Sequence, residues 1–257
     1  RPAQKLTFDS KTKYFTYYVG DYDSSAWLKE HVYHFWTEDK VRGQIPLMWS
    51  FNPNLSERVP MVFDFIYEQK TKNDFFASGD SGAGYIIPDG LYETNEMRVF
   101  PDGEDEWCNY CQYFFERFDL DITGFIINGN YPITPRILKL YNRFSSVGSF
   151  HGDSRRGKQL LLQDGVPYIH LNNGVSGKPS RIDDCARRME EYAFGHMKQY
   201  NFSAYRTICD SPAEMAELTN RFITYAKERH PDYSFLLVDP YTFFDLIRQS
   251  GQGTVLE

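Results

Sequence analysis

Apolar, β-branched and aromatic residues gather into eight short runs: Tyr14–Val19, Ile45–Phe51, Phe75–Ser78, Gly124–Ile127, Val147–Phe150, Tyr168–Leu171, Ala204–Ile208 and Phe235–Val238. Runs of this kind read as strands, and each gives way to a polar or glycine-containing turn and then to a longer stretch with helical spacing. The helical stretches carry start signals. Ser211-Pro212-Ala213-Glu214 sets a capping serine, a proline at the first helical position and a glutamate three residues on, an arrangement that satisfies two orphan N–H groups reciprocally. Behind it Met215, Leu218, Phe222 and Ala226 fall three and four apart, forming one apolar stripe. Thr134-Pro135, and Ser180 with Asp183, repeat the same grammar. Strand then helix, repeated, predicts a parallel sheet covered by helices.

One stretch breaks the rhythm. Gly152 to Gly165 holds Asp153, Arg155, Arg156 and Lys158, then Leu160-Leu161-Leu162, and it is short for a crossover helix. Read as a hairpin excursion it leaves seven strands in a distorted barrel; otherwise there are eight. With no internal repeat, low-complexity segment or linker, the expectation is an α/β fold. It is a single (β/α) barrel-like domain over residues 1–257, with seven or eight mostly parallel strands.

Composition narrows the function. Charged residues are 25% and hydrophobic residues 41%, and no apolar stretch approaches the roughly 20 residues that span a bilayer, so a membrane-spanning chain is not expected. The net charge is −7, with no basic cluster beyond Arg155-Arg156 and Arg187-Arg188, which argues against a nucleic-acid partner. Aromatic residues reach 17%, with 19 Tyr and 21 Phe. Most belong to a core, but flat amphipathic rings also line sugar clefts, so a carbohydrate ligand gains weight. The spacing Cys108-Asn-Tyr-Cys111 fits a metal site, yet it sits in an aromatic helical stretch with no second pair and no nearby histidine. A buried thiol pair is the better reading.

In parallel βα architectures ligands meet the carboxyl ends of strands. Those ends carry Asp21 and Asp23; Asn52 and Asn54; Asp80, Ser81 and Tyr85; Asn128 and Asn130; His151 and Asp153; Asn172 and Asn173; Asp239 and Tyr241. Amides and carboxylates match vicinal sugar hydroxyls, and two carboxylates suffice for work on a glycosidic bond. Asp23 and Asp80 are the expected acid/base or nucleophile pair, with Asp21 in support. Tyr85, Trp49, Asn52, Asn128, His151, Asn172 and Asp239 are the expected sugar-holding residues. No cofactor and no metal are expected. Asp21 and Asp23 lack a convincing His partner, because His31 and His34 read as a partly exposed helix face.

Residues 79–88 read GDSGAGYIIP. A phosphate loop needs Lys then Ser or Thr after its last glycine, and a dinucleotide fingerprint needs its glycines to open a helix; neither context is met. The stretch is expected to be a close-packed turn whose glycines floor a cleft, with Asp80 and Tyr85 facing the ligand.

Gly82-Ala83-Gly84-Tyr85-Ile86-Ile87-Pro88 resembles the motif that names the GxGYxYP family of glycoside hydrolases. Asn73-Asp74 and Ser81, Gly20-Asp21-Tyr22-Asp23-Ser24, and Asn52-Pro53-Asn54-Leu55 with Pro60 resemble further segments of that family. Ile87 stands where the family name has Tyr, Tyr22 where Gly is usual, and Ser24 where Asn is usual. The resemblance implies the family's C-terminal domain, a barrel-like α/β domain of secreted or periplasmic proteins of gut Bacteroidetes, with an N-terminal domain missing from this chain. The expected function is hydrolysis of a poly- or oligosaccharide through paired carboxylates. The alternatives are a non-catalytic carbohydrate-binding module and a metal-dependent carbohydrate deacetylase.

Overall fold

A computed structural model describes residues 5–21, 24–92, 102–128, 132–152 and 159–256. In chain order the elements are β1 (Thr12–Val19), α1 (Ser25–Trp27), α2 (Tyr33–Thr37), β2 (Leu47–Phe51), α3 (Pro60–Gln69), β3 (Asp74–Asp80), α4 (Glu104–Arg117), β4 (Ile122–Ile126), α5 (Pro135–Asn142) and β5 (Gly148–His151). They continue with β6 (Leu160–Gln163), β7 (Val166–Asn173), α6 (Ile182–Glu191), β8 (Phe202–Thr207), α7 (Pro212–Arg229), β9 (Ser234–Leu237), α8 (Pro240–Ser250) and β10 (Thr254–Val255). All eight apolar runs became strands. The capping box formed as read: Ser211 Oγ accepts from Glu214 N at 3.2 Å, and Glu214 Oε2 accepts from Ser211 N at 2.8 Å.

Seven strands close a barrel. β1, β2, β3, β4, β5, β7 and β8 pair in that order, β8 returns to β1, and every pairing is parallel. The eighth run is outside the circuit: β9 pairs with the first half of β1, Phe15 opposite Leu237. The irregular stretch is the hairpin excursion. β6 runs antiparallel to β7, with Gln163 opposite Val166. The two residues between, Asp164 and Gly165, have φ of 52° and 78°, the left-handed pair that a two-residue hairpin turn demands.

Strand alternation sends the two faces of the wall into two aromatic layers. Outward, Phe15 meets Phe222 of α7 edge-on at 5.0 Å, Phe51 meets Phe63 of α3 at 4.9 Å, and Tyr205 donates to Met189 O of α6 at 2.8 Å. Inward, Tyr14 stacks on Phe202 at 5.6 Å. Helix α8 belongs to the inner layer. Its Phe243 meets Phe202 of β8 at 5.6 Å, its Phe244 meets Phe150 of β5 at 5.1 Å, and its Tyr241 meets Phe75 of β3 at 6.2 Å. One helix reaches Phe75, Gly148 and Phe202, at or next to the first residues of β3, β5 and β8, only if it lies across the N-terminal end of the barrel. Gly148 admits it, since a Cβ there would sit 2.4 Å from the Phe244 ring.

Candidate functional site at the C-terminal mouth of the barrel

With α8 plugging one end, the other end is the mouth, where such barrels keep their chemistry. Tyr18 makes its floor. The ring reaches from β1 across to β4, where a Cβ on Gly124 would lie 2.3 Å from Tyr18 Cε2 and 2.4 Å from Ser78 O. Above it, Gly20 carries the chain out of β1 with φ 142°. A side chain at Gly20 would strike Ser50 Oγ at 2.7 Å and Ser50 O at 2.8 Å. Asp21 follows, 39% exposed, with its Oδ1 3.9 Å from Arg206 Nη2. Asp23 lies outside the described residues, as do Asn130 and Asp153.

The ends of β2 and β3 are tied together. Asn52 Oδ1 accepts from Asp80 N at 3.0 Å, and both side chains are buried. Complete burial drives the phenol of Tyr141 on α5 well above its ordinary pKa, with the neighbouring Asp80 among the smaller contributions. Ser81 then adopts φ 45°, a left-handed conformation rare for a serine and held here by hydrogen bonds to β4 and to Ile127 just past it. Its N–H donates to Phe125 O at 2.7 Å and its hydroxyl to Ile127 O at 3.1 Å.

The motif glycines face protein rather than an open cleft, which corrects the expectation that they floor one. Gly82 has φ 100°, and a Cβ there would meet Cys111 Sγ of α4 at 2.7 Å. Ala83 N donates to the same sulfur at 3.4 Å, and Ala83 O accepts from Asn54 N at 3.1 Å. A Cβ on Gly84 would stand 2.4 Å from Asn54 Nδ2. The small residues let the loop clamp between α4 and the turn after β2, and Tyr85 projects from the clamp 60% exposed. The cysteines are buried thiols, as read: burial pushes Cys108 to about 11 and Cys111 to about 12.

Four expected sugar-binding residues sit elsewhere. Trp49 faces outward, 1% exposed among Trp27, Phe35 and Trp36, and its Nε1 donates to Asp74 Oδ1 at 2.8 Å. His151 is one position past the inward Phe150, so it too faces out. It packs edge-on against His170 at 5.6 Å, and His170 Nδ1 lies 2.9 Å from Tyr192 Oη. Asn172 is opposite the outward Tyr205, whereas Asn173, opposite Arg206, takes the lumen side. Asp239 caps α8, its Oδ1 accepting from Tyr241 N and Thr242 N, each at 3.0 Å. Because β9 pairs low on β1, Asp239 never reaches the mouth. Asn128 is buried beside β4, and its amide donates to Pro132 O at 3.1 Å. Asp21, Asn52 and Tyr85 thus follow strands whose ends surround or adjoin the mouth, whereas Asp80, the last residue of β3 and fully buried, shares the outward face of Ser78, which is opposite Phe51.

Arg206 escaped the sequence reading. It alternates with Phe202 and Ala204 on β8, and a lone cation in an otherwise apolar every-second-residue series was the available signal.

The family model described as "GxGYxYP putative glycoside hydrolase C-terminal domain" matches residues 11–248, the whole barrel with its α8 plug. The chain belongs to this family. Similar folds occur in two solved structures. A putative hydrolase from Bacteroides thetaiotaomicron VPI-5482 superposes with a TM-score of 0.71 at 18% identity, over 97% of this chain and 48% of that one. A putative polysaccharide deacetylase from Mycobacterium smegmatis gives 0.58 at 9% identity, over 99% and 96%. The GxGYxYP domain therefore spans about half the length of the Bacteroides chain, and at such identities the likeness speaks to fold. The sequence matches none of the curated proteins. Among the described residues no group of three or more His, Cys, Asp or Glu is arranged to hold a metal ion, and no helix is long and apolar enough to cross a membrane.

Proposed function

We propose that this GxGYxYP domain hydrolyses O-glycosidic bonds of a poly- or oligosaccharide at the barrel mouth, through Asp21, Asp23 and Asp80. The observation that carries the reading is the family match across the barrel together with acidic residues at the C-terminal ends of β1 and β3, Asp21 two positions past β1 and Asp80 the last residue of β3. A glycosidase of the usual kind needs one carboxyl group to protonate the leaving oxygen and a second carboxylate to act as nucleophile or to activate water. Asp80 is held by the backbone contact to Asn52, whereas Asp21 stands at the solvent edge beside a guanidinium. Tyr85 offers an exposed ring to a sugar face. As the family resemblance implies, the domain works outside the cytoplasm and beside an N-terminal domain.

The test is release of reducing ends from a panel of plant and host glycans, with Asp21→Asn, Asp23→Asn and Asp80→Asn measured beside the parent. Loss of a general acid or base lowers turnover by roughly 10²- to 10⁴-fold. An Asp80→Asn protein with full turnover would remove that residue from the mechanism. Release of acetate instead of reducing ends would assign deacetylase chemistry, and tight glycan binding without product would leave a binding module.

A further inference from the structure

Tyr110 and Tyr113 on α4 play no part in the chemistry proposed for the mouth. Three apart on a helix, they leave neighbouring points of one face, roughly 5–6 Å apart at Cβ. Tyr110 is 44% and Tyr113 56% exposed. Both rings are nevertheless anchored, each packing edge-on against the buried Phe114, at 5.0 and 5.1 Å. Rings held in place in this way lose little freedom when a ligand stacks on them. Polar groups surround them. Asn109, Gln112 and Glu116 are exposed on the same helix. Partial burial raises the Tyr110 phenol above its ordinary pKa, with Asn54, Glu57 and Arg58 of the segment after β2 among its neighbours.

This face is continuous with the motif loop. Ala83 N donates to the sulfur of Cys111, the residue next to Tyr110, and a Cβ on Gly84 would strike the Asn54 side chain that neighbours the Tyr110 phenol. Tyr85 follows directly, exposed in its turn. Because α4 carries the chain from the end of β3 to the start of β4, Tyr113 lies about one turn further from the mouth than Tyr110. We infer that Tyr85, Tyr110 and Tyr113 form a glycan-binding track leading from the mouth over the rim of the barrel, so that the domain takes long chains in preference to short oligosaccharides. This rests on the glycan reading of the mouth, which supplies the head of the track. The chemistry of the face favours a sugar chain over a protein surface: α4 contains no Leu, Ile, Val or Met, and its exposed rings carry hydroxyls and stand among amides and carboxylates. Several rings acting on one polymer add their contributions, whereas a short oligosaccharide reaches only the nearest.

The experiment is affinity electrophoresis through gels containing soluble xylan, galactan, pectin or mucin. Calorimetric titration follows, with the disaccharide and the octasaccharide of whichever polymer retards the parent. The octasaccharide should bind roughly 10-fold tighter or more, and Tyr110→Ala and Tyr113→Ala should each remove much of that advantage. Tyr113→Phe, which keeps the ring, should retain most of it. Melting temperature and light scattering are recorded for every variant. Should an alanine variant fold poorly, the comparison of chain lengths on the parent still decides. Equal affinity of the parent for disaccharide and octasaccharide would overturn the inference, as would an undiminished advantage in both alanine variants. A dimer that Tyr113→Ala dissolves while glycan affinity stays as it was would overturn it in favour of self-association. Hydrolysis that ignores chain length would overturn it and leave the glycan-cleaving reading intact. Retardation that the alanine variants lose, in a parent that hydrolyses nothing, would uphold the track and refute cleavage; no retardation and no hydrolysis would overturn both.

Discussion

Asp74 offers a sharp test of how the outer wall of the barrel is held. Its carboxylate is 1% exposed and takes three charge-assisted hydrogen bonds: from Trp49 Nε1 at 2.8 Å, from Arg42 Nη1 at 2.6 Å and from Thr71 N at 2.8 Å. Replacing Asp74 by Ala leaves two neutral donors orphaned and strips the closest counter-charge from Arg42, itself 12% exposed. Arg42 keeps Gln69 O at 3.0 Å and the Trp36 ring at 4.4 Å, so its loss is incomplete. Breaking a buried ion pair by removing one partner costs about 3–5 kcal/mol, and the orphaned donors fall within that figure rather than adding to it. Against a typical total of about 5–15 kcal/mol this is roughly a fifth of the stability or more, and it corresponds to a fall in Tm of about 10 °C for a chain of this size. Urea unfolding followed by fluorescence reads the change, with an unaltered slope confirming that stability and not denatured-state compactness has moved. Asp74→Asn, which keeps one acceptor for Trp49, should lose less. A cost below about 1 kcal/mol for Asp74→Ala would show that water satisfies this cluster and that the network does not hold the wall.

Further outcomes follow from the same contacts. Gly82→Ala should destabilise by about 2 kcal/mol or more, from the left-handed backbone and the clash with Cys111, and Cys111→Ala should restore part of the loss in a double-mutant cycle. Burial lowers the Lys13 ammonium to about 8, while the unfolded chain keeps a value of about 10.4. The unfolded state therefore binds more protons between those values, so Lys13 makes stability rise with pH from about 8 to about 10.4; Lys13→Met should remove that increment from the pH profile. Thiol labelling should reach the half-buried Cys209 first, and Cys108 and Cys111 only on unfolding, as counted by mass spectrometry over time. Tyr85→Ala should weaken glycan binding in calorimetry while shifting the melting temperature by little, since the ring is 60% exposed.

Local signals in the chain carried the strands, the capping box of α7 and the hairpin over residues 160–173, because each depends on neighbours in sequence. The site was less legible, for reasons of parity and depth. Whether Trp49 or Met48 faces the lumen, and whether Asn172 or Asn173 does, turns on a choice between two faces that are both buried, and a strand covered on both sides shows no polar alternation to reveal it. Asp239 failed differently. Its run is a genuine strand, but β9 pairs beside the start of β1 and not its end, a register that only tertiary packing decides. Asp21, by contrast, could be placed near the mouth from position alone, since a residue just past the end of a strand lies there whatever face precedes it.

Helix α8 also sets the order of events as the chain is made. Strands β1 to β5 can pair as they emerge, but β1 closes the circuit only when Tyr14 finds Phe202, and the far end stays open until Phe243 and Phe244 arrive near the end of the domain. Until then Tyr14, Phe150 and Phe202 remain in contact with water on the inner wall of an incomplete curl. Such a species exposes apolar surface and unpaired strand edges together, the combination that drives association between chains. The late, long-range closure predicts slow folding and a dependence on dilution or chaperones that the finished barrel, with no open edge in its circuit, no longer has.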